Sequence, residues 1–215
     1  MGSKSYDESY KKVRSHSVGV LKHFGYGDRR VMETKIHAEF EHLAKFLRSK
    51  QNSPFDPMDI LNLTTLNVMY QLMFGQRFEA GDPTEVYLRS FARSTVAAMN
   101  PLYDIFPFVA YLPPFRQQVA HMRSVSTTWN EFIKRKIHDE GLNEGKNSED
   151  NFVKSYRETA GEDYDEEELA FVLREFTVAG TDTTATQLCW ALVVFANHVD
   201  VQRRVQASVF NVNCN

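Results

Sequence analysis

Asp182 and Thr183 stand side by side in REFTVAGTDTTATQLCWAL, residues 174–192, with Ala179 and Gly180 just before them. A carboxylate can take up and release protons, and a hydroxyl can accept and pass them on. Ala179, Asp182 and Thr183 lie at i, i+3 and i+4, so a helix gathers them on one face. The Thr183 hydroxyl then reaches the Ala179 carbonyl, a back-bond that bends helices. Gly180 bares the adjacent side and eases local distortion. Such a patch lets a flat cofactor or small ligand approach the backbone, and the acid beside the threonine can relay protons into an apolar pocket. The other reading is an ordinary core helix that tolerates polar residues. Glycine and threonine are poor helix formers, so a helix with five threonines and a glycine in this stretch asks for a reason.

Other chemistry-bearing residues point less sharply. HAEFEH puts His37 and Glu41 on one helix face with His42 turned away, which is not the spacing of a zinc site. Asn62, Leu63 and Thr64 form a glycosylation sequon, but inside an expected helix. Lys11, Lys12, Lys22, Arg29 and Arg30 make the early segment basic, either a solvated face or a patch that steers an acidic partner. Two cysteines, Cys189 and Cys214, make no disulfide framework and suit a reducing compartment. The net charge of −3 over 215 residues gives no reason to expect nucleic acid. The opening MGSKSYDESYKK has no apolar centre, so it reads as neither signal peptide nor membrane anchor.

The elements that must position these residues read as almost wholly helical, with no convincing strand. Helices are expected over residues 4–24, broken by Gly25 and Gly27, and over residues 31–50, where Ile36, Phe40, Leu43 and Leu47 recur at helical spacing. NSPFDPMD breaks the chain, with Asp56 as a cap for an apolar helix over 60–74 that Gly75 stops. Another helix is expected over 85–99. Pro107, Pro113 and Pro114 interrupt the aromatic stretch 100–115. A helix over 117–139, a polar linker EGLNEGKNSED and the long helix opened by DYDEEELAF follow. Asp165 and Glu168 there resemble a capping box.

AGTDTT resembles the oxygen-activation motif of the haem-thiolate monooxygenases, the cytochromes P-450. YKKVRSHSVGVLKHFGYG resembles that family's helix with a Trp-x-x-x-Arg motif. PFDP, NVMYQLMFGQRF, YDIFPFVAYLP and ANHVDVQRRVQ resemble, in the same order, segments of the animal microsomal subgroup closest to family 2. The resemblance implies a mainly α, partial cytochrome P-450 fold: a helical core around a long central helix, covering residues 1–206. Residues 207–215 are expected to form an off-family tail. It implies haem b as cofactor, with Ala179 and Gly180 bordering it. Thr183 and Asp182 would handle protons, and Arg14 would pair with a propionate, with Tyr10 where the family has tryptophan. It implies a small apolar substrate, molecular oxygen and an NADPH-linked flavoprotein reductase as partners. Residues 102–115 would touch a membrane peripherally, or form a buried loop.

The departures carry their own expectations. The Phe-x-x-Gly-x-Arg-x-Cys loop that supplies the iron ligand and the Glu-x-x-Arg motif do not occur in these 215 residues. Cys189 and Cys214 lie outside such a context, so no metal ligand is assigned. The sequence therefore reads as a middle piece of a longer enzyme, inactive by itself and without the family's N-terminal sheet. The full-length family implies the cytosolic face of the endoplasmic reticulum membrane; a chain without an anchor would be cytoplasmic. The alternatives are a non-catalytic helical segment that binds apolar ligands or partner proteins, and an unrelated helical adaptor.

Overall fold

A computed structural model describes residues 7–24, 29–51, 53–98, 105–142 and 151–212. Gly25, Gly27, the start of the aromatic stretch, most of the polar linker and Cys214 lie outside them. The described residues form α1 (Glu8–His23), α2 (Arg29–Ser49), α3 (Pro57–Phe74), α4 (Pro83–Ala98) and a 3-10 turn (Pro107–Tyr111). Then come α5 (Pro113–Leu142), α6 (Phe152–Ala160), α7 (Glu166–Asn197) and α8 (Val199–Val212). No strand occurs among them, and the mainly α expectation holds.

The ends of these helices are set by side chains. The Asp56 carboxylate accepts from the Met58 amide, Pro57 takes the first helical position, and Gly75 closes α3 at φ 67°. Asp165 accepts from the amides of Glu167 and Glu168 at the start of α7. Its expected capping partner Glu168 accepts from the Ser9 hydroxyl of α1 at 2.6 Å. Three glutamates in that first turn complement the positive end of the helix. Pro113 and Pro114 start α5 four residues earlier than expected, because proline fits the first turn where no intrahelical N–H bond is needed. Helix α8 runs through the boundary expected at residue 206 without a break.

Helix α6 was not foreseen. It is nine residues long, and Lys154, Arg157 and Glu158 disguise its apolar face. Phe152, Val153, Tyr156 and Ala160 are buried nonetheless, Asn151 caps it, and Gly161 ends it at φ 51°.

Helix α7 is the hub. It packs on α1, α3, α4, α5 and α8, most extensively on α3. The core gathers Leu66, Tyr70, Met73 and Phe74 of α3, Leu88 and Phe91 of α4, Trp129, Ile133 and Ile137 of α5, and Leu169 and Leu173 of α7. Phe91 stacks on Trp129 with ring centroids 4.2 Å apart and 8° between the planes. Beside the core, Glu39 of α2 is buried and accepts from Asn67, Gln71 and Arg77. Asn67 also exchanges two bonds with the backbone of Phe78. Asn62 is buried in α3, so its sequon is out of reach of modification in the folded chain.

Trp129→Ala removes the largest fully buried side chain. Loss of a buried aromatic of this kind costs about 3–5 kcal/mol. Chemical denaturation monitored by circular dichroism should show a midpoint well below wild type; an unchanged midpoint would contradict the packing described.

Candidate functional site

Helices α3 and α7 run antiparallel, and their contacts fix the register. The Met58 sulfur stands 4.0 Å from Cys189 Sγ, and Leu61 clusters with Ala185. The Thr65 hydroxyl shares its one hydrogen among the carbonyls of Leu61 at 3.0 Å, Asn62 at 3.1 Å and, across the interface, Thr181 at 3.1 Å. Met69 packs on Gly180, and Met73 Sδ lies 3.8 Å from Thr177 Oγ1. One side of the central stretch is therefore sealed by α3: Thr177, Thr181 and Ala185 are buried.

The other side is open. Ala179 and Thr183 are exposed, and Asp182 is half-buried beside them. The Thr183 hydroxyl donates to the Ala179 carbonyl at 2.5 Å, as its spacing predicted. With its hydrogen placed there, the hydroxyl oxygen presents its lone pairs outward as an acceptor. The open stripe continues about one to three turns on with Gln187, Trp190 and Val194, and Trp190 is 63% exposed. The threonines thus divide by face. Thr177 and Thr181 serve the interface with α3, and Thr183 and Thr184 are exposed.

Gly180 is half-buried, and its bare side belongs to the interface. A Cβ there would stand 2.7 Å from Met69 Sδ and 2.8 Å from Met69 Cγ. The missing side chain lets α3 approach α7, rather than leaving an open patch. Despite the glycine, α7 is continuous from Glu166 to Asn197.

Arg14 is exposed on α1, with Tyr10 half-buried one turn before it. Arg14 makes no hydrogen bond or ion pair with the described residues, so its guanidinium is open to an anionic group. Helix α1 meets the beginning of α7, where Ser9 reaches Glu168. Thr183 lies fifteen residues further along that helix, roughly 22 Å at 1.5 Å per residue. The structure brings Ala179, Asp182 and Thr183 together and leaves Arg14 apart from them.

A flat group such as haem needs a helix face with small side chains and no packing partner. Ala179 and Thr183 meet that requirement. Among the described residues no cysteine stands on that face. Cys189 is turned to α3, packed with Leu61, Ala185 and Met58, and burial raises its thiol pKa. Its neutral form is favoured where a ligand would have to be ionised.

The family model described as Cytochrome P450 matches residues 3–212. The chain is 27% identical to Cytochrome P450 2U1 of Homo sapiens over 96% of its own length and 40% of that protein. It is 30% identical to Cytochrome P450 2J3 of Rattus norvegicus, covering 97% of this chain and 43% of that one. It is 27% identical to Vitamin D(3) 25-hydroxylase of Sus scrofa, covering 96% and 43%. The chain thus spans about two fifths of the length of these relatives.

Gly180→Ala should test the fit to α3. Alanine gains about 1 kcal/mol of helix propensity over glycine, but here its methyl meets Met69. The substitution should stabilise the Met69→Ala chain by about that amount and the wild-type chain by distinctly less. Equal effects in the two backgrounds, measured by denaturant unfolding, would rule out the contact.

Proposed function

The chain belongs to the cytochrome P450 family, and from that membership we propose that it forms the oxygen-facing helical part of a haem-dependent monooxygenase acting on small apolar compounds such as fatty acids, steroids or xenobiotics. One observation carries the reading: Ala179 and Thr183 form an exposed, hydrogen-bonded pair on a helix whose other face is sealed. Bound haem would supply the reductive activation of dioxygen. Ala179 and, through its backbone, Gly180 would border it, and Arg14 would pair with a propionate, with Tyr10 beside it. A guanidinium suits that role because it stays charged and can bond a carboxylate with two donors.

The chain's own chemistry is proton handling at Thr183 Oγ1. With its own hydrogen held by the Ala179 carbonyl, the hydroxyl oxygen would stand at the open face as an acceptor for a water or another O–H group beside the haem. Asp182, half-buried next to it, exchanges protons with the solvent side. The partners proposed with this reading are an apolar substrate, molecular oxygen and an NADPH-linked flavoprotein. Ile105, Phe106, Phe108, Tyr111 and Leu112 are exposed, which supports a peripheral membrane contact through residues 102–115. No described helix is long and apolar enough to cross a membrane. The proposed place of work is the cytosolic face of the endoplasmic reticulum. A second reading draws on the exposed apolar side chains Trp190, Leu192, Val193 and Val194: a non-catalytic helical segment that binds apolar ligands or proteins.

In the haem-loaded enzyme carrying this segment, Thr183→Ala should uncouple the reaction, so that peroxide replaces hydroxylated product. Removing one positioned proton-transfer group costs about 10²–10⁴-fold in rate. Asp182→Asn should slow turnover, with less effect on peroxide leakage than Thr183→Ala. Product and peroxide per nicotinamide oxidised decide this, and wild-type coupling in Thr183→Ala favours the second reading.

The 215 residues by themselves are proposed to be inactive, since Cys189 faces α3. A polypeptide of these residues mixed with haem, reduced and exposed to carbon monoxide, should give no thiolate-type absorption. A band abolished by Cys214→Ser would refute that.

A further inference from the structure

We propose that Thr65 of α3 is a positioning residue for the Ala179–Thr183 pair, an assignment that rests on the reading of Thr183 given above. Two consecutive residues of α7, Gly180 and Thr181, lie between the members of that pair. Each is held from behind by α3. Met69 occupies the bare side of Gly180, and the Thr65 hydroxyl, one turn earlier in α3, bonds the Thr181 carbonyl at 3.1 Å. Contact at Gly180 fixes how closely the helices approach. A directional bond at Thr181 fixes how the turn is rotated about the helix axis. Rotation of that turn decides where Thr183 Oγ1 points.

The surroundings make this bond unusual. Thr65 is buried, and its single hydrogen also has the carbonyls of Leu61 and Asn62 within 3.0 and 3.1 Å. Those two are local back-bonds that need nothing from α7. Thr64, next in the chain, makes only that local kind of side-chain bond among the described residues, to Ile60 at 2.8 Å. Thr181 is fully buried, and its own hydroxyl has no partner among the described residues, while Thr177 and Thr183 both back-bond. An unpaired buried hydroxyl is a cost. The backbone carbonyl of the same residue is within reach of the Thr65 hydroxyl across the interface. Small misplacements of a catalytic group are expensive, because reactivity depends on near-attack geometry.

The experiment compares Thr65→Val, which keeps the shape and removes the hydroxyl, with Thr65→Ser, which restores it. Thr64→Val controls for loss of a local back-bond. Hydrogen exchange in the 215-residue chain supplies a readout independent of haem. Thr65→Val should speed exchange of the amides of residues 181–186 by about threefold, the low end of coupling between residues in contact. Residues 125–137 of α5 should be unchanged. Thr65→Ser and Thr64→Val should both match wild type. In the haem-loaded enzyme carrying this segment, Thr65→Val should raise peroxide per product by about threefold, and Thr65→Ser should restore coupling. In the Thr183→Ala background, Thr65→Val should add nothing. Equal acceleration of exchange throughout the chain, failure of serine to rescue, or a Thr64→Val effect as large as that of Thr65→Val would overturn the proposal. So would an additive loss on top of Thr183→Ala. Wild-type coupling in Thr183→Ala itself would sink the reading of the site. Uncoupling in Thr183→Ala with normal coupling in Thr65→Val would sink the positioning role alone.

Discussion

The antiparallel contact of α3 with α7 is the constraint on which the rest depends. Five rungs define it, from Met58 opposite Cys189 to Met73 opposite Thr177. Helices of this length gain most of their stability from a packed apolar face rather than from propensity. A central glycine and five threonines weaken α7 as an isolated helix, so α3 must compensate through burial. The close approach at Gly180 is what makes that burial tight, since any side chain there would displace Met69. Leu66, Tyr70 and Phe74 of α3 then reach the aromatic core shared with α4 and α5.

This arrangement separates two tasks along one helix. The face toward α3 carries Thr177, Thr181 and Ala185, small residues that admit a neighbouring helix. The opposite face carries Ala179 and Thr183, small residues that are exposed. Small side chains at both faces look alike in the sequence. They differ in what their smallness serves: helix approach on one side, ligand approach on the other.

That ambiguity explains what could be read from the sequence. Helix positions were legible because proline, glycine and aspartate punctuate them: Asp56 with Pro57, Gly75, and Asp165 behave in the structure as their residue types require. The Thr183 back-bond was legible because it is local, needing only helical spacing. The role of Gly180 was not, because it depends on Met69, more than a hundred residues away in the chain. Helix α6 was hidden for another reason. Nine residues make only about two and a half turns, and five buried positions, Ser155 among them, set between lysine, arginine and glutamate give a weak periodic signal. Arg14 shows the opposite case: a motif position can be recognised, yet its separation from Thr183 appears only when α1 is seen to meet the far end of α7.

The polar groups of the α3–α7 interface show how sealing and positioning are joined. An interface built only for stability would be apolar throughout, since a buried unpaired hydroxyl or amide costs about 1–3 kcal/mol. Here the Thr181 hydroxyl is buried without a partner among the described residues, beside the bond from Thr65 to the Thr181 carbonyl. Apolar contacts are nearly indifferent to small rotations of one helix against another; a hydrogen bond to a carbonyl is directional. A helix that must present one hydroxyl at a defined angle gains from such a bond, even at some expense in stability. The Met69–Gly180 contact sets the distance between the helices, and the Thr65–Thr181 bond sets the angle. Together they fix the Ala179–Thr183 turn from behind, leaving its front surface unencumbered.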